Sequence, residues 1–204
     1  MRYLFVMAHP DDEVDVGGTI YKLSSQGHEV AVAILVGKVK ARRNLSDTLS
    51  ADESNSMKTL KVCRVYHADY PNIKMNVVPH SEIVKSIEEF ISDWKAEAIV
   101  THYSADVNID HAVTGKAAIA ASRLFQRTSN NSRLRLFLMC ESSGATEWVL
   151  DSSKNRFMPN YFVEIGKQGL EVKLKAHACY AGIPRKFPHP YKRPSDYQIR
   201  DRST

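Results

Sequence analysis

The sequence predicts an α/β fold, a Rossmann-like three-layer αβα sandwich around a mostly parallel sheet, and three observations predict it. Short apolar runs alternate with longer helix-like segments. The runs are rich in Val, Ile and Leu with little polar alternation, and polar, ligand-type residues cluster just after two of them. Strands covered by helices on both faces have this continuous apolar character, because neither side of the sheet meets water.

Residues 3–8 form the first strand, which empties into His9, Pro10, Asp11, Asp12 and Glu13 and then into Gly17-Gly18. A helix follows at 18–26, a second strand at 30–36, a second helix at 51–60 and a third strand at 62–67. The helix at 81–94 has the clearest periodicity, with Ile83, Ile87, Phe90, Ile91 and Trp94 on one stripe. Such a stripe faces a core and is not a cofactor-binding box. A fourth strand at 98–101, a helix at 111–125 and a fifth strand at 134–139 continue the alternation. Residues 161–165 and 170–180 are expected to add a further strand and a helix. The polar stretch 38–50 is long enough for an active-site loop. Residues 127–132 are a polar loop, 181–193 are rich in Pro and basic residues, and the last dozen are expected to be poorly ordered.

At 204 residues the chain is expected to form one domain, residues 1–204. Its net charge of +5 comes largely from residues 38–43 and the tail from Arg185 onward. Neither stretch has aromatic interleaving or a nucleic-acid module around it, so nucleic acid is not an expected partner. A membrane surface or an anionic substrate is the alternative use of such a basic loop. Cys63, Cys140 and Cys179 are far apart and in no C-x-x-C arrangement, which argues against a disulfide framework and a thiolate metal site. The first apolar run is too short for a signal peptide and is broken by Asp11 to Glu13. No apolar stretch approaches the ~20 residues that span a bilayer. The expected location is therefore the cytoplasm. Nothing in the sequence sets an oligomeric state.

Three adjacent carboxylates repel one another, so their placement beside His9 at a strand end calls for a cation among them. In open parallel sheets, ligands gather at the carboxyl ends of strands where the strand order reverses. With the order 3-2-1-4-5, the first strand neighbours the fourth, which is followed by His102, Asp106, Asn108, Asp110 and His111. Both polar clusters would then meet at one crevice. His9 and Asp12, three apart in a tight turn, can point to one centre, with His111 as the third ligand. Two imidazoles and one carboxylate leave coordination positions open, as a catalytic Zn2+ site requires. Fe2+ or another divalent metal accepts the same donors. Asp110 would fix the orientation of an imidazole from behind. Asp11, adjacent to Asp12 but differently directed, would take a proton from water whose pKa a zinc ion lowers towards roughly 7. Glu13 would support the turn or hydrogen-bond a ligand.

A competing reading places Asp11 and Asp12 on Mg2+ for phosphoryl-group chemistry. The two histidines disfavour it, because magnesium prefers oxygen donors. Gly17-Gly18 alone makes no phosphate loop, since G-x-G-x-x-G is absent.

The segments "AHPDDE" (8–13), "GGT" (17–19) and "DVNIDH" (106–111) resemble the LmbE-like/PIG-L family of metal-dependent de-N-acetylases. The later "LKAHACYAGIPRKFPHPYKRP" is similar to the family's C-terminal helix and His-Pro segment, more weakly. The resemblance implies zinc held by His9, Asp12 and His111, with Asp11 as general base. It implies hydrolysis of the acetamide of a small-molecule N-acetylated amino sugar, such as a GlcNAc-type glycoside, glycolipid or nucleotide sugar, with release of acetate. The metal would stabilise the oxyanion, and the proton held by Asp11 would pass to the departing amine. Two departures stand out. Many family members carry a histidine where this chain has Asn108; an amide can donate to an oxyanion but cannot act as a general acid. The second proton transfer then falls to Asp11, with His189 in support, or to His102. The family also often ends in a further acidic-aromatic element that is not found before Thr204, so the chain is expected to be short there. Those departures keep a non-catalytic sugar-binding homologue as the remaining alternative.

Overall fold

The computed structural model describes residues 1–37, 48–126, 134–149 and 156–180. Strands β1 (Arg2–Met7), β2 (Glu29–Val36), β3 (Arg64–Tyr70), β4 (Ala98–His102) and β5 (Leu136–Cys140) form one sheet in the order β3-β2-β1-β4-β5. Every pairing is parallel. Helices α1 (Gly17–Ser25), α2 (Leu49–Thr59), α3 (His80–Trp94), α4 (Ile109–Ala121) and α5 (Gly166–Ala178) cover it. Successive side chains of a strand point to opposite faces. Leu4 and Val6 accordingly enter one core with Ile83, Ile87 and Ala117 of α3 and α4. Tyr3, Phe5 and Met7 enter the other, with Ile20, Met57 and Ala176 of α1, α2 and α5. This is the expected three-layer arrangement. Among the described residues, no helix is long and apolar enough to cross a membrane.

Element boundaries shift by a few residues from the sequence expectation, and three of the differences have a plain physical cause. The third strand starts at Arg64, because Val62 is still tied to the end of α2 through its N–H to Met57 O. The fourth helix begins at Ile109, with the Asn108 side chain accepting the Asp110 N–H as its N-cap. That puts His111 in the first turn. Residues 161–165 are not a strand: they run as irregular chain into α5, with Tyr161 and Phe162 exposed. No described strand edge lies beside them to supply hydrogen bonds. Ile165 instead wedges between α1 and α5, so close that a Cβ at Gly18 would stand 2.5 Å from its Cδ1.

Gly115 in α4 has a similar constraint with harder neighbours. A Cβ there would lie 2.6 Å from His102 O and 3.1 Å from Ser104 Cα, both backbone atoms at the end of β4. Gly115→Ala is therefore expected to lower stability by about 1–3 kcal/mol through overpacking. Thermal melting would show this as a drop of several degrees. An unchanged melting temperature would mean that α4 is not seated against β4 as described.

Candidate metal centre

The switch point between β1 and β4 carries the site. After Met7 the chain turns tightly, with Asp12 N–H donating to His9 O at 3.3 Å and Val14 N–H to Asp11 O at 3.2 Å. Asp11 sits at φ 100, a left-handed conformation that Asp and Asn tolerate better than other L-residues. Glu13 holds this turn from beneath. Its Oε2 accepts the Asp11 N–H at 3.0 Å, and its Oε1 accepts the Ser56 hydroxyl at 2.6 Å and the Tyr180 hydroxyl at 2.7 Å. Burial pushes the Glu13 carboxyl up to about 7, against the lowering effect of those two hydroxyls. Glu13 thus supports the turn, and Tyr180, fully buried, packs into that support instead of facing a ligand.

His9, Asp12 and His111 are buried, and one ligand-type atom of each lies within 4.8 Å of the others. The other nitrogen of each imidazole is held from behind. His9 Nε2 lies 3.0 Å from Asp110 Oδ2, and His111 Nδ1 lies 3.5 Å from Asp106 Oδ1. A carboxylate only accepts, so each of these nitrogens carries the proton. That leaves lone pairs on His9 Nδ1, 3.2 Å from Asp12 Oδ2, and on His111 Nε2, 3.4 Å from Asp12 Oδ1. Three acceptors converging on one point repel unless a cation lies among them. Nitrogen and oxygen donors with carboxylates behind the imidazoles are what a divalent transition metal takes. The residues fit such an ion.

In the metal-free chain, protons take that role. Burial pulls the His9 imidazolium down, but Asp12 and the hydrogen bond to Asp110 outweigh it and raise the group to about 9. Burial opposes His111 in the same way, and Asp12 with Asp106 raises it to about 10. Asp12, although burial favours its neutral form, is held well below the carboxylate range by His111, His9 and His102.

These directions set a pH dependence. A histidine raised in the folded state contributes stability that is complete below about 6.5 and is lost as pH climbs through its folded value. The metal-free chain is therefore expected to melt at lower temperature at pH 10 than at pH 7. Ligation must also displace up to two protons, so metal affinity should weaken by as much as about a hundredfold per pH unit on acidification below 9. Competition titrations at several pH values measure this, and a pH-independent affinity would refute it.

The remaining predicted residues are distributed unevenly. Asp110 orients His9 and also accepts the backbone N–H groups of Ile73 at 2.6 Å and Met75 at 3.0 Å, which anchors the 73–77 segment to the site. Asn108 is half-buried, and its Oδ1 is committed to the helix cap. His102 is fully buried; its Nε2 accepts the Ala8 N–H at 3.0 Å and its Nδ1 lies 3.0 Å from Ser142 Oγ. Neither nitrogen is left for a second proton transfer. His189 lies outside the described residues, as do residues 38–47 and the basic tail. Glu141, just past β5, is exposed, while its neighbour Ser142 turns inward. Sequence reasoning missed Ser142 and Thr146, and the hold of Asp106 on both Thr146 and His111.

A parallel sheet in this order, with an imidazole–carboxylate–imidazole cluster where the order reverses, defines a doubly wound α/β protein with a group at its switch point that could hold a metal ion. The PIG-L family model, described as GlcNAc-PI de-N-acetylase, matches residues 4–122, more than half of the chain, and the chain belongs to that family. Its fold is similar to that of N,N'-diacetylchitobiose deacetylase from Pyrococcus horikoshii solved with its inhibitor MPG. That likeness has a TM-score of 0.71 and 22% identity over 89% of this chain and 70% of that one. The zinc-inhibited form of teicoplanin deacetylase Orf2 matches with a TM-score of 0.67 and 13% identity over 89% and 84% of the two chains. GalB, the 4-carboxy-2-hydroxymuconate hydratase of Pseudomonas putida KT2440, matches with a TM-score of 0.73 and 18% identity over 89% and 79%. At these identities the likeness establishes the fold alone. No curated protein matches the chain.

Proposed function

We propose that the protein is a metal-dependent hydrolase that removes the acetyl group from an N-acetylated amino sugar in the cytoplasm. The observation that carries this reading is the convergence of two imidazole lone pairs and the Asp12 carboxylate beside a second, adjacent carboxylate, in a chain of the PIG-L family. His9 Nδ1, Asp12 and His111 Nε2 would hold the ion, and the nitrogen-rich donor set favours Zn2+, with Fe2+ as the alternative. When bound, such a cation polarises an amide carbonyl and makes water acidic enough to lose a proton near neutral pH.

The chain's own residues supply the rest. Asp12 has three imidazoles and the His9 N–H around its oxygens, so it is occupied with holding. Asp11, the carboxylate adjacent to Asp12 in the turn, takes the proton work. It would accept the proton of the attacking water and return it to the amine nitrogen as the C–N bond breaks. Asn108 has its oxygen in the helix cap, which leaves its NH2 group as the donor for a developing oxyanion. Asp110 would keep His9 in the ligating tautomer. His189 would assist proton return to the amine.

The test is joint measurement of metal content and acetate release. Purified protein should carry about one zinc or iron per chain and release acetate from GlcNAc glycosides, glycolipids or nucleotide sugars. Chelation should abolish release and metal should restore it. Phosphate release instead would transfer the reading to phosphoryl chemistry. Sugar binding without turnover by fully metallated protein would make it a binding homologue. Because GalB carries hydratase chemistry on this fold, an unsaturated acid belongs in the substrate panel.

A further inference from the structure

The turn after β5 takes no part in the ligand set, yet its polar groups run inward to two of the three ligands. Ser142 and Thr146 are each 2% exposed. The Ser142 N–H donates to Thr146 Oγ1 at 2.8 Å, and the Thr146 hydroxyl donates to Asp106 Oδ2 at 2.7 Å. Asp106 Oδ1 accepts the Asn108 N–H at 2.8 Å and faces His111 Nδ1. On the other side, Ser142 Oγ meets His102 Nδ1, and His102 Nε2 stands 3.1 Å from Asp12 Oδ2. The His102 ring also stacks on His111, with centroids 4.0 Å apart and an interplanar angle of 8°. His111 Nε2 and Asp12 Oδ1 then close a ring of six buried side chains.

We propose that this ring makes the Ser142–Thr146 turn a positioning element of the metal centre, which presets His111 and Asp12 for the cation. The inference rests on the metal-site reading above.

Proton directions in the ring are determined by donor count. Thr146 has one hydroxyl proton, and its oxygen already accepts a backbone N–H, so the proton goes to Asp106. Asp106 is thereby held with its other oxygen toward His111 Nδ1. This keeps the proton on that nitrogen and the lone pair on Nε2. His102 accepts the Ala8 N–H at Nε2, so its own proton sits on Nδ1, against Ser142. His102 Nε2, already accepting the Ala8 N–H, stands 3.1 Å from Asp12 Oδ2 without donating to it, so the ring confines Asp12 by contact and leaves its charge for the centre. A buried polar network is rigid where its members are satisfied, and the ring atom left without a hydrogen bond in the metal-free chain is His111 Nδ1, which faces Asp106 Oδ1. The turn adds rigidity of its own, since the Ala145 and Thr146 N–H groups both donate to Ser142 O. His111 Nδ1 to Asp106, at 3.5 Å, is the loosest link, and it is the one that ligation at Nε2 would tighten by making that ring more acidic.

The test compares Thr146→Val, Thr146→Ser and Ser142→Ala with wild type. Each chain is stripped of metal and titrated with Zn2+ in competition with a chromophoric chelator, and its metal-free melting temperature is recorded. Valine keeps the shape of threonine but can neither accept from Ser142 nor donate to Asp106. Thr146→Val is expected to bind zinc about ten- to a hundredfold more weakly, the usual cost of losing a group that orients a ligand. Thr146→Ser should bind as wild type does. Ser142→Ala, which removes only the hydroxyl facing His102, should also weaken binding. The double variant should lose less than the product of the single losses, because both break one ring. A purely structural role would lower melting temperature and leave zinc affinity unchanged. That result in Thr146→Val, or in Ser142→Ala should the valine variant not fold, overturns the proposal alone. A folded wild type that takes up no zinc overturns the metal-site reading and this inference with it.

Discussion

His111→Ala is expected to lose its metal on dialysis and, with it, acetate release. His111 contributes one lone pair, at Nε2, to a centre with three donors, and two donors do not retain a divalent ion against a chelator. Loss of the cation forfeits several kcal/mol of transition-state stabilisation, and at 1.36 kcal/mol per tenfold the rate should fall by about a thousandfold or more. The fold should survive. Asp12 keeps the His9 backbone N–H at 2.7 Å, along with His9 and His102, and the helix cap at Asn108 does not involve the His111 ring. Circular dichroism and metal analysis on the same sample separate the two effects. A full metal complement in folded His111→Ala would remove His111 from the ligand set and leave the convergence of lone pairs without a purpose.

The convergence of His9, Asp12 and His111 was legible because two local facts combine with one topological fact. His9 and Asp12 share a tight turn, His111 opens a helix, and the order 3-2-1-4-5 makes β1 and β4 neighbours. The parallel class, for which that order is the Rossmann-like arrangement, is read from apolar runs such as Val30–Val36, where burial on both faces erases the period-two alternation. The edge strand β3 lacks this cover, alternates between exposed and covered positions, and was accordingly misplaced by a few residues. At 161–165 the aromatic and β-branched run Tyr-Phe-Val-Glu-Ile imitates a strand, but a strand needs a partner's hydrogen bonds, which composition does not reveal. Asn108 just before a helix is an N-cap pattern, so its committed oxygen could have been anticipated. The roles of Ser142 and Thr146 could not. Their contribution depends on a turn after β5 folding back to reach Asp106, some forty positions earlier, and no spacing rule encodes that return.

Electrostatics explain why those distant groups belong to the centre. Asp12, Asp106 and Asp110 place three carboxylates around two imidazoles in a buried crevice, so without a cation the charge is only partly offset, by protonating both rings. Asp110, hydrogen-bonded to His9 Nε2, and Asp106, facing His111 Nδ1 at 3.5 Å, favour the proton on those nitrogens, which confines any exchange to the nitrogens that face Asp12. The same arrangement that stabilises the metal-free chain near neutral pH thus selects the lone pairs a metal would use.

Asp11→Asn should separate holding from proton transfer. Asparagine is nearly isosteric with aspartate and accepts the left-handed backbone at φ 100, whereas alanine at that position would add strain to the loss of the carboxylate. The Glu13 carboxyl holds residue 11 through its backbone N–H, a contact that the substitution leaves in place. Metal content should remain at the wild-type level, because His9, Asp12 and His111 are untouched. The amide cannot accept the proton of the attacking water, so kcat is expected to fall by about 10²- to 10⁴-fold, the usual contribution of a positioned base. KM should change little, since the group acts on a proton and not on the sugar. The acid limb of the pH–rate profile should also flatten, as the carboxylate whose ionisation it reports is gone. A metal-replete Asp11→Asn protein with wild-type kcat would assign the proton transfer to another group, and no other ionisable side chain among the described residues is adjacent in sequence to Asp12 except Glu13, whose oxygens are already engaged by Asp11 N–H, Ser56 and Tyr180.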